Sequence, residues 1–205
     1  RKLLMPAVKA FGLVVRQPTF PPDSLARERQ RALVGLQLAS QSPADATNKA
    51  FYRALYGSHP YALFPEGTAA GLKAISADDL RAFHRRYYVG ANAVLAIVGD
   101  ISMREARRIA RHVLGDLPQG EAAPALPPVP EPDPAVAGRP MHIAFPSSQS
   151  HILAGVAGLM RHDPDYFPLY VGNHILGGSG LVSRLSDEVR EKRGLSYSAY
   201  SYFTP

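Results

Sequence analysis

"GGSGLVSRLSDEVREKRGLSYSAYSYF", Gly177–Phe203, changes its period halfway along. From Leu181 to Lys192 it reads as a helix, and from Leu195 to Phe203 serine and tyrosine alternate with the two-residue period of a strand. Gly194 stands at the junction, where glycine accepts a turn conformation that other L residues resist. A helix passing so abruptly into a strand predicts a mixed α+β unit rather than a helical bundle.

Working outward, residues 164–176 are expected to form a helix running into Gly177 and Gly178, either of which can supply a left-handed cap. "MHIAFPSSQSHILAGVAGL", from Met141, predicts two strands around a polar turn. Before it, from Gly115 to Pro140, proline recurs every few residues and removes backbone donors, so this stretch reads as an extended linker. The first half of the chain is richer in helix signals. Leu4, Val8, Phe11 and Val15 predict a helix over 6–16, and "PTFPPDS" supplies a turn and cap before a long helix over 23–40 with Leu25, Leu33, Leu36 and Ala39 on its apolar face. A third helix is expected over 43–57, ending at Gly57. "ISADDLRAFHRRYY" opens with Ser76 three residues before Asp79, a capping box, and aligns Leu80, Phe83 and Tyr87. "NAVLAIVGDIS" predicts a strand buried on both faces, and 103–114 an amphipathic helix.

Bulk properties limit the function classes. A chain of 205 residues has room for two modest domains. It contains no cysteine, which excludes disulfides, thiolate metal sites and a cysteine nucleophile, and which fits either a reducing or an oxidising compartment. No run of about eighteen apolar residues occurs, so no membrane span is expected. The net charge of +6 is dispersed among Asp and Glu without interleaved aromatics, which favours a solvated surface over nucleic-acid binding. "RKLLMPAVKA" has no signal-peptide core and does not begin with Met, and reads as a mature or clipped N-terminus.

Four stretches in order, "PTFPPDSLARERQRAL", "AFYRALYGSHPYA", "GTAAGLKAISADDLRAFHRRYYVGANAVLAIVGDIS" and "GGSGLVSRLSDEVREKRGLSYSAYSYF", resemble the pitrilysin/insulinase-type metallopeptidases, a family that includes mitochondrial processing peptidase and bacterial two-subunit relatives. The resemblance implies an α+β fold of two similar domains, each an antiparallel-rich sheet packed with helices, joined by the proline-rich linker. Residues 1–116 would be the later part of the first domain, 117–139 the linker, and 140–205 the earlier part of the second, so that the chain covers only parts of both. Many bacterial relatives are exported, which points to the periplasm.

The family's zinc helix carries an inverted His-x-x-Glu-His motif, with two imidazoles one turn apart on the metal and a glutamate that activates water. No such pair exists among His59, His84, His112, His142, His151, His162 and His174. A further family ligand is a glutamate on the long helix, with another glutamate seven residues before it. Glu28 matches the earlier position, but the ligand position is Gly35, which offers no donor atom. The pair reads as the remnant of a metal-site helix, and this chain is expected to hold neither zinc nor a catalytic residue. Zinc would belong to a partner subunit or to an upstream segment. Glu28 also has a structural reading, pairing with Arg31 or lying on a solvated face.

The resemblance further implies that an arginine and a tyrosine seven residues apart reach toward substrate bound at the partner's zinc. Arg190 and Tyr197 have that spacing, and their guanidinium and phenol donors suit a peptide carbonyl or a developing oxyanion. The structural alternative pairs Arg190 with Asp187 or Glu191 and leaves Tyr197 as an ordinary strand aromatic. Three functions follow. The first is a non-catalytic, substrate-binding half of a heterodimeric zinc metalloendopeptidase, partnered by a zinc-bearing subunit of the same family or by a second copy of itself, and acting on peptides in a closed chamber. The second is an active zinc peptidase whose motif lies outside the given sequence. The third is a structural subunit resembling the core proteins of a respiratory complex.

Overall fold

Side-chain caps set where several helices begin. In the computed structural model, which describes residues 2–131 and 133–204, Ser76 Oγ accepts from Asp79 N at 3.1 Å while the Asp79 carboxylate accepts from Ser76 N at 2.8 Å. These bonds from Ser76 hold the Asp79 carboxyl below its ordinary range. The same reciprocal box joins Ser102 and Glu105 at 3.3 and 3.0 Å. Ser42 and Thr68 cap two more helices through single bonds to Asp45 N and Gly71 N. The helices are α1 (Leu4–Arg16), α2 (Pro22–Ser40), α3 (Pro43–Tyr56), α4 (Ala69–Ala74), α5 (Ala77–Tyr87), α6 (Met103–Leu114) and α7 (Tyr166–Asn173). Gly57, at φ +57°, closes α3 where the sequence predicts its end. Arg1, Pro132 within the expected linker, and Pro205 lie outside the described residues.

The chain divides into two units. The first comprises Arg1–Pro130 and Gly138–Ile152. Its main helix contact is α1 against α6, where buried Gly12 lies so close to α6 that a Cβ would run into the carbonyl oxygen of His112. That approach covers Ile109 and Val113, two of the few buried apolar side chains among the described residues. It also brings Arg16 to an ion pair with Asp116 beyond the end of α6, and His84 of α5 bonds to Val15 O at 2.8 Å. The proline-rich stretch is tied to this unit: Gly90 N and Ala91 N donate to Pro118 O and Gln119 O at 2.7 and 2.9 Å, and Arg86 pairs with Glu121 at 2.7 Å. Further along, Tyr61 N donates to Nδ1 of buried His59, which leaves Nε2–H to donate to Pro127 O at 2.9 Å.

The second unit comprises Glu131–Ala137 and Leu153–Pro205. Buried Tyr166 of α7 meets the edge of Phe203 with centroids 6.2 Å apart and stacks on Tyr170. After α7 the helical path widens through His174–Gly178. The left-handed conformation falls at Gly180, φ +66°, and not at Gly177 or Gly178 as the glycine pattern suggests. Gly177 is small for another reason, since a Cβ there would strike the backbone and hydroxyl of Ser201.

The sheet-rich α+β expectation is overturned: among the described residues the chain is helical, with no strand and no sheet. The segments predicted as strands, 92–102, 141–159 and 195–203, follow irregular paths. Apolar run and alternation mark a segment that suits a sheet, but a strand exists only where its backbone groups find a ladder partner, and these segments find none. In "NAVLAIVGDIS" the expected burial on both faces is absent, with Val94 and Val98 exposed to 96% and 98%. The alternation from Ala199 to Phe203 survives as a pattern of exposure, tyrosines outward and Ser201 and Phe203 inward, without a ladder.

The α1/α6 approach makes a direct prediction. Gly12→Ala forces the helices apart and should destabilise the chain by about 1–3 kcal/mol despite alanine's better helix propensity, as read from urea or thermal unfolding. An unchanged midpoint would show that the contact does not constrain the fold.

Candidate functional site

Ser183, fully buried, starts the turn that builds the site. Its Oγ donates to Gly180 O at 2.8 Å and accepts from Ser186 N at 3.3 Å, and its carbonyl accepts from Asp187 N at 2.9 Å. The helix that follows, Ser186–Glu191, is wound wider than an α-helix, with Lys192 N donating to Asp187 O at 2.9 Å across five residues. Gly194, at φ +61°, then reverses the chain while its N–H donates to Arg190 O, and Leu195 N donates to Val189 O. The reversal returns Tyr197 over Arg190, with Cζ of the guanidinium 5.5 Å from the ring centroid. That is cation–π range.

The two residues selected by spacing are therefore brought together. Tyr197 is 90% exposed. The Arg190 side chain is 29% exposed and donates from Nη1 to Glu191 Oε1 at 2.9 Å, a contact the structural reading of this arginine anticipates. Around them charges are paired off. Glu188 accepts from Lys192 Nζ at 2.7 Å and Arg193 Nη1 at 2.6 Å, and these two bonds pull its carboxyl down to about 2 from an ordinary 4.5. Asp187 takes the same Lys192 ammonium at 2.7 Å, and the two carboxylates raise the Lys192 ammonium above its usual range. Lys192 and Arg193 thus occupy Glu188 and Asp187, and among the described residues Arg190 has Glu191 as its one carboxylate partner and keeps further edge donors.

On α2, Glu28 lies exposed, 3.6 Å from Arg27 and 3.9 Å from Arg31, and Gly35 is exposed two turns further on with nothing within 4 Å of a notional Cβ. This donor set does not fit a zinc ion, because one position has no side chain and the other faces guanidinium groups. The open space also removes close helix packing as the reason for glycine at 35. Among the described residues no group of three His, Asp or Glu side chains stands close enough to hold a metal.

Two residues with defined roles escape a reading by motif. Arg29 reaches from α2 to the last carbonyls of α4, donating to Leu72 O at 2.9 Å and Ile75 O at 2.5 Å. His59 grips Pro127. Their partners lie more than forty residues away, so no local pattern announces them.

A family profile described as "Peptidase M16 inactive domain" matches residues 74–205. The chain is 33% identical over 178 residues to an uncharacterized zinc protease of Streptomyces coelicolor, covering 85% of this chain and 39% of that protein. It is 27% identical to the uncharacterized zinc protease YmxG of Bacillus subtilis, covering 90% of this chain and 43% of that protein. Among solved structures, a peptidase M16 inactive domain from Pseudomonas fluorescens superposes with a TM-score of 0.88 at 42% identity, over 98% of this chain and 48% of the other. The chain thus spans less than half the length of these relatives.

Two outcomes follow from the geometry. The Glu188 carboxyl has a folded-state pKa below its unfolded value, so its ion pairs contribute fully above about 4.5 and are lost as pH falls through about 2. The carboxyl resonance of Glu188 should titrate near 2, and Lys192→Met should move that midpoint toward 4.5. At Gly35, an exposed helical glycine without neighbours, Gly35→Ala should raise stability by about 0.5–1 kcal/mol in chemical unfolding. A loss there would reveal packing the structure does not contain.

Proposed function

This chain belongs to the peptidase M16 inactive-domain family, and we propose that it serves as the zinc-lacking, substrate-binding half of a two-subunit metalloendopeptidase. In this reading residues 1–116 and 140–205 belong to two related peptidase-like domains, and metal and general base are supplied by a partner of the same family. The observation that carries the reading is the Arg190–Tyr197 contact of 5.5 Å, held by a widened helical turn and the left-handed Gly194.

The chemistry available is binding and orientation. The ring of Tyr197 holds one face of the guanidinium, Glu191 takes one edge, and the remaining N–H groups together with the exposed phenol O–H form a donor pair. Such a pair suits the carbonyl of an extended peptide, or the oxyanion that develops when that carbonyl is attacked. A peptide carbonyl is a weaker acceptor than Glu191, so binding is strongest for the species with most charge on oxygen. That differential is what lowers a barrier rather than a KM.

The Arg190–Glu191 pair favours a second reading, a structural subunit that keeps the fold without chemistry. Co-purification with a zinc-bearing subunit of the same family, and a fluorogenic peptide assay with and without chelator, separates the two. The isolated chain should cleave nothing. In the assembled enzyme Arg190→Ala and Tyr197→Phe should each lower kcat/KM by tenfold or more, about the worth of one charged hydrogen bond. Unchanged cleavage in both variants would favour the structural subunit, and chelator-sensitive cleavage by the lone chain would overturn both readings.

A further inference from the structure

Helix α6 has two faces with opposite chemistry. Ile109 and Val113 are buried against α1. Arg104, Arg107, Arg108 and Arg111 are all exposed, and their spacing of three, four and seven residues is that of a single helical stripe. At about 100° of turn per residue the four guanidiniums fall within an arc of roughly 100°, centred opposite the buried pair. Three other arginines of this unit are neutralised, Arg16 by Asp116, Arg81 by Asp78 and Arg86 by Glu121. Among the described residues none of the four on α6 enters an ion pair or a side-chain hydrogen bond. Glu105, the acid within the helix, turns to the Ser102 cap.

The stripe cannot roll away from solvent. Gly12 locks the helix face to face with α1, so the arginines are presented outward in a fixed row about 10 Å long, at 1.5 Å per residue. Unpaired like charges on one rigid ridge repel each other, and the ridge is relieved by a partner that brings many negative charges to one surface.

We propose that the outer face of α6 is a docking surface for an anionic phospholipid layer. Three features favour lipid over other polyanions. The four arginines share one face of a single helix, so a flat layer of headgroups can meet all of them at once. It interleaves no aromatic side chain on which a nucleobase would stack. Met103, 68% exposed, stands one turn before Arg107 on the edge of the same stripe and adds a short apolar side chain at headgroup depth. Guanidinium groups, rather than ammoniums, give paired bonds to phosphate oxygens. Because the apolar face of α6 is committed to α1, the helix does not insert, and binding is peripheral, reversible and sensitive to salt.

The test is co-sedimentation of the chain with vesicles of phosphatidylcholine alone or mixed with phosphatidylglycerol. Binding is expected only to the anionic vesicles, with release on raising ionic strength. Each Arg→Gln change in the stripe should weaken partitioning by about fivefold, and the quadruple Gln variant should remain in the supernatant. The quadruple Lys variant keeps the charge and should still sediment, which separates loss of charge from loss of fold. A control that removes the same charge elsewhere, Arg53, Lys73, Arg139 and Arg161 all changed to Gln, should bind like the parent. Equal binding to neutral vesicles, an equal loss in the control, or retention of polyglutamate or duplex DNA through these arginines without vesicle binding would each overturn the proposal.

Discussion

The contact of Gly12 with the backbone of α6 governs the first unit. Because no side chain intervenes, α1 and α6 lie close enough to bury Ile109 and Val113, and two polar contacts beside them follow from that distance. Arg16 reaches Asp116 beyond the end of α6, and the carbonyl of Val15 is presented to His84 of α5. Three helices from separate parts of the chain are thereby held by one absent methyl group and a few polar bonds. The same contact decides which side of α6 faces water.

The second unit depends on a different kind of economy. Its candidate site uses no long-range scaffold, only about fifteen consecutive residues whose turn is widened by one residue per hydrogen-bonded ring. Ser183, buried and fully bonded, anchors the start, and Gly194 sets the reversal. An α-helical turn would project residue 190 in another direction relative to the returning chain, so the extra residue is what places the guanidinium beneath the Tyr197 ring. Glu188, Lys192, Arg193 and Asp187 hold one another around it.

Elements decided by local chemistry were legible in the sequence. Ser76 and Asp79 announce α5, Gly57 ends α3, and the long α2 begins at the proline-rich turn before Asp23. The sheet was not a matter of local chemistry. Val94 and Val98 have the composition of a buried strand, but pairing is a property of two segments, and a single segment's pattern says nothing of its partner. The site divides in the same way. Seven residues separate Arg190 from Tyr197, and the spacing was readable; the widened turn that makes them touch leaves no period to read. That Gly35 offers no side-chain donor was readable, whereas the open space around it was not.

Arg29 makes the local stability of one short helix depend on a distant one. Helix α4 has six residues, well below the length at which an isolated helix holds together in water. Its final carbonyls are satisfied by a guanidinium delivered from α2, forty-three and forty-six residues away in the chain. That donor is in place only when α2 is wound and docked, so the carbonyls at the end of α4 keep these bonds only while α2 stays in place. Amide exchange across Ala69–Ala74 therefore reports the docking of α2 rather than the intrinsic propensity of the short helix itself.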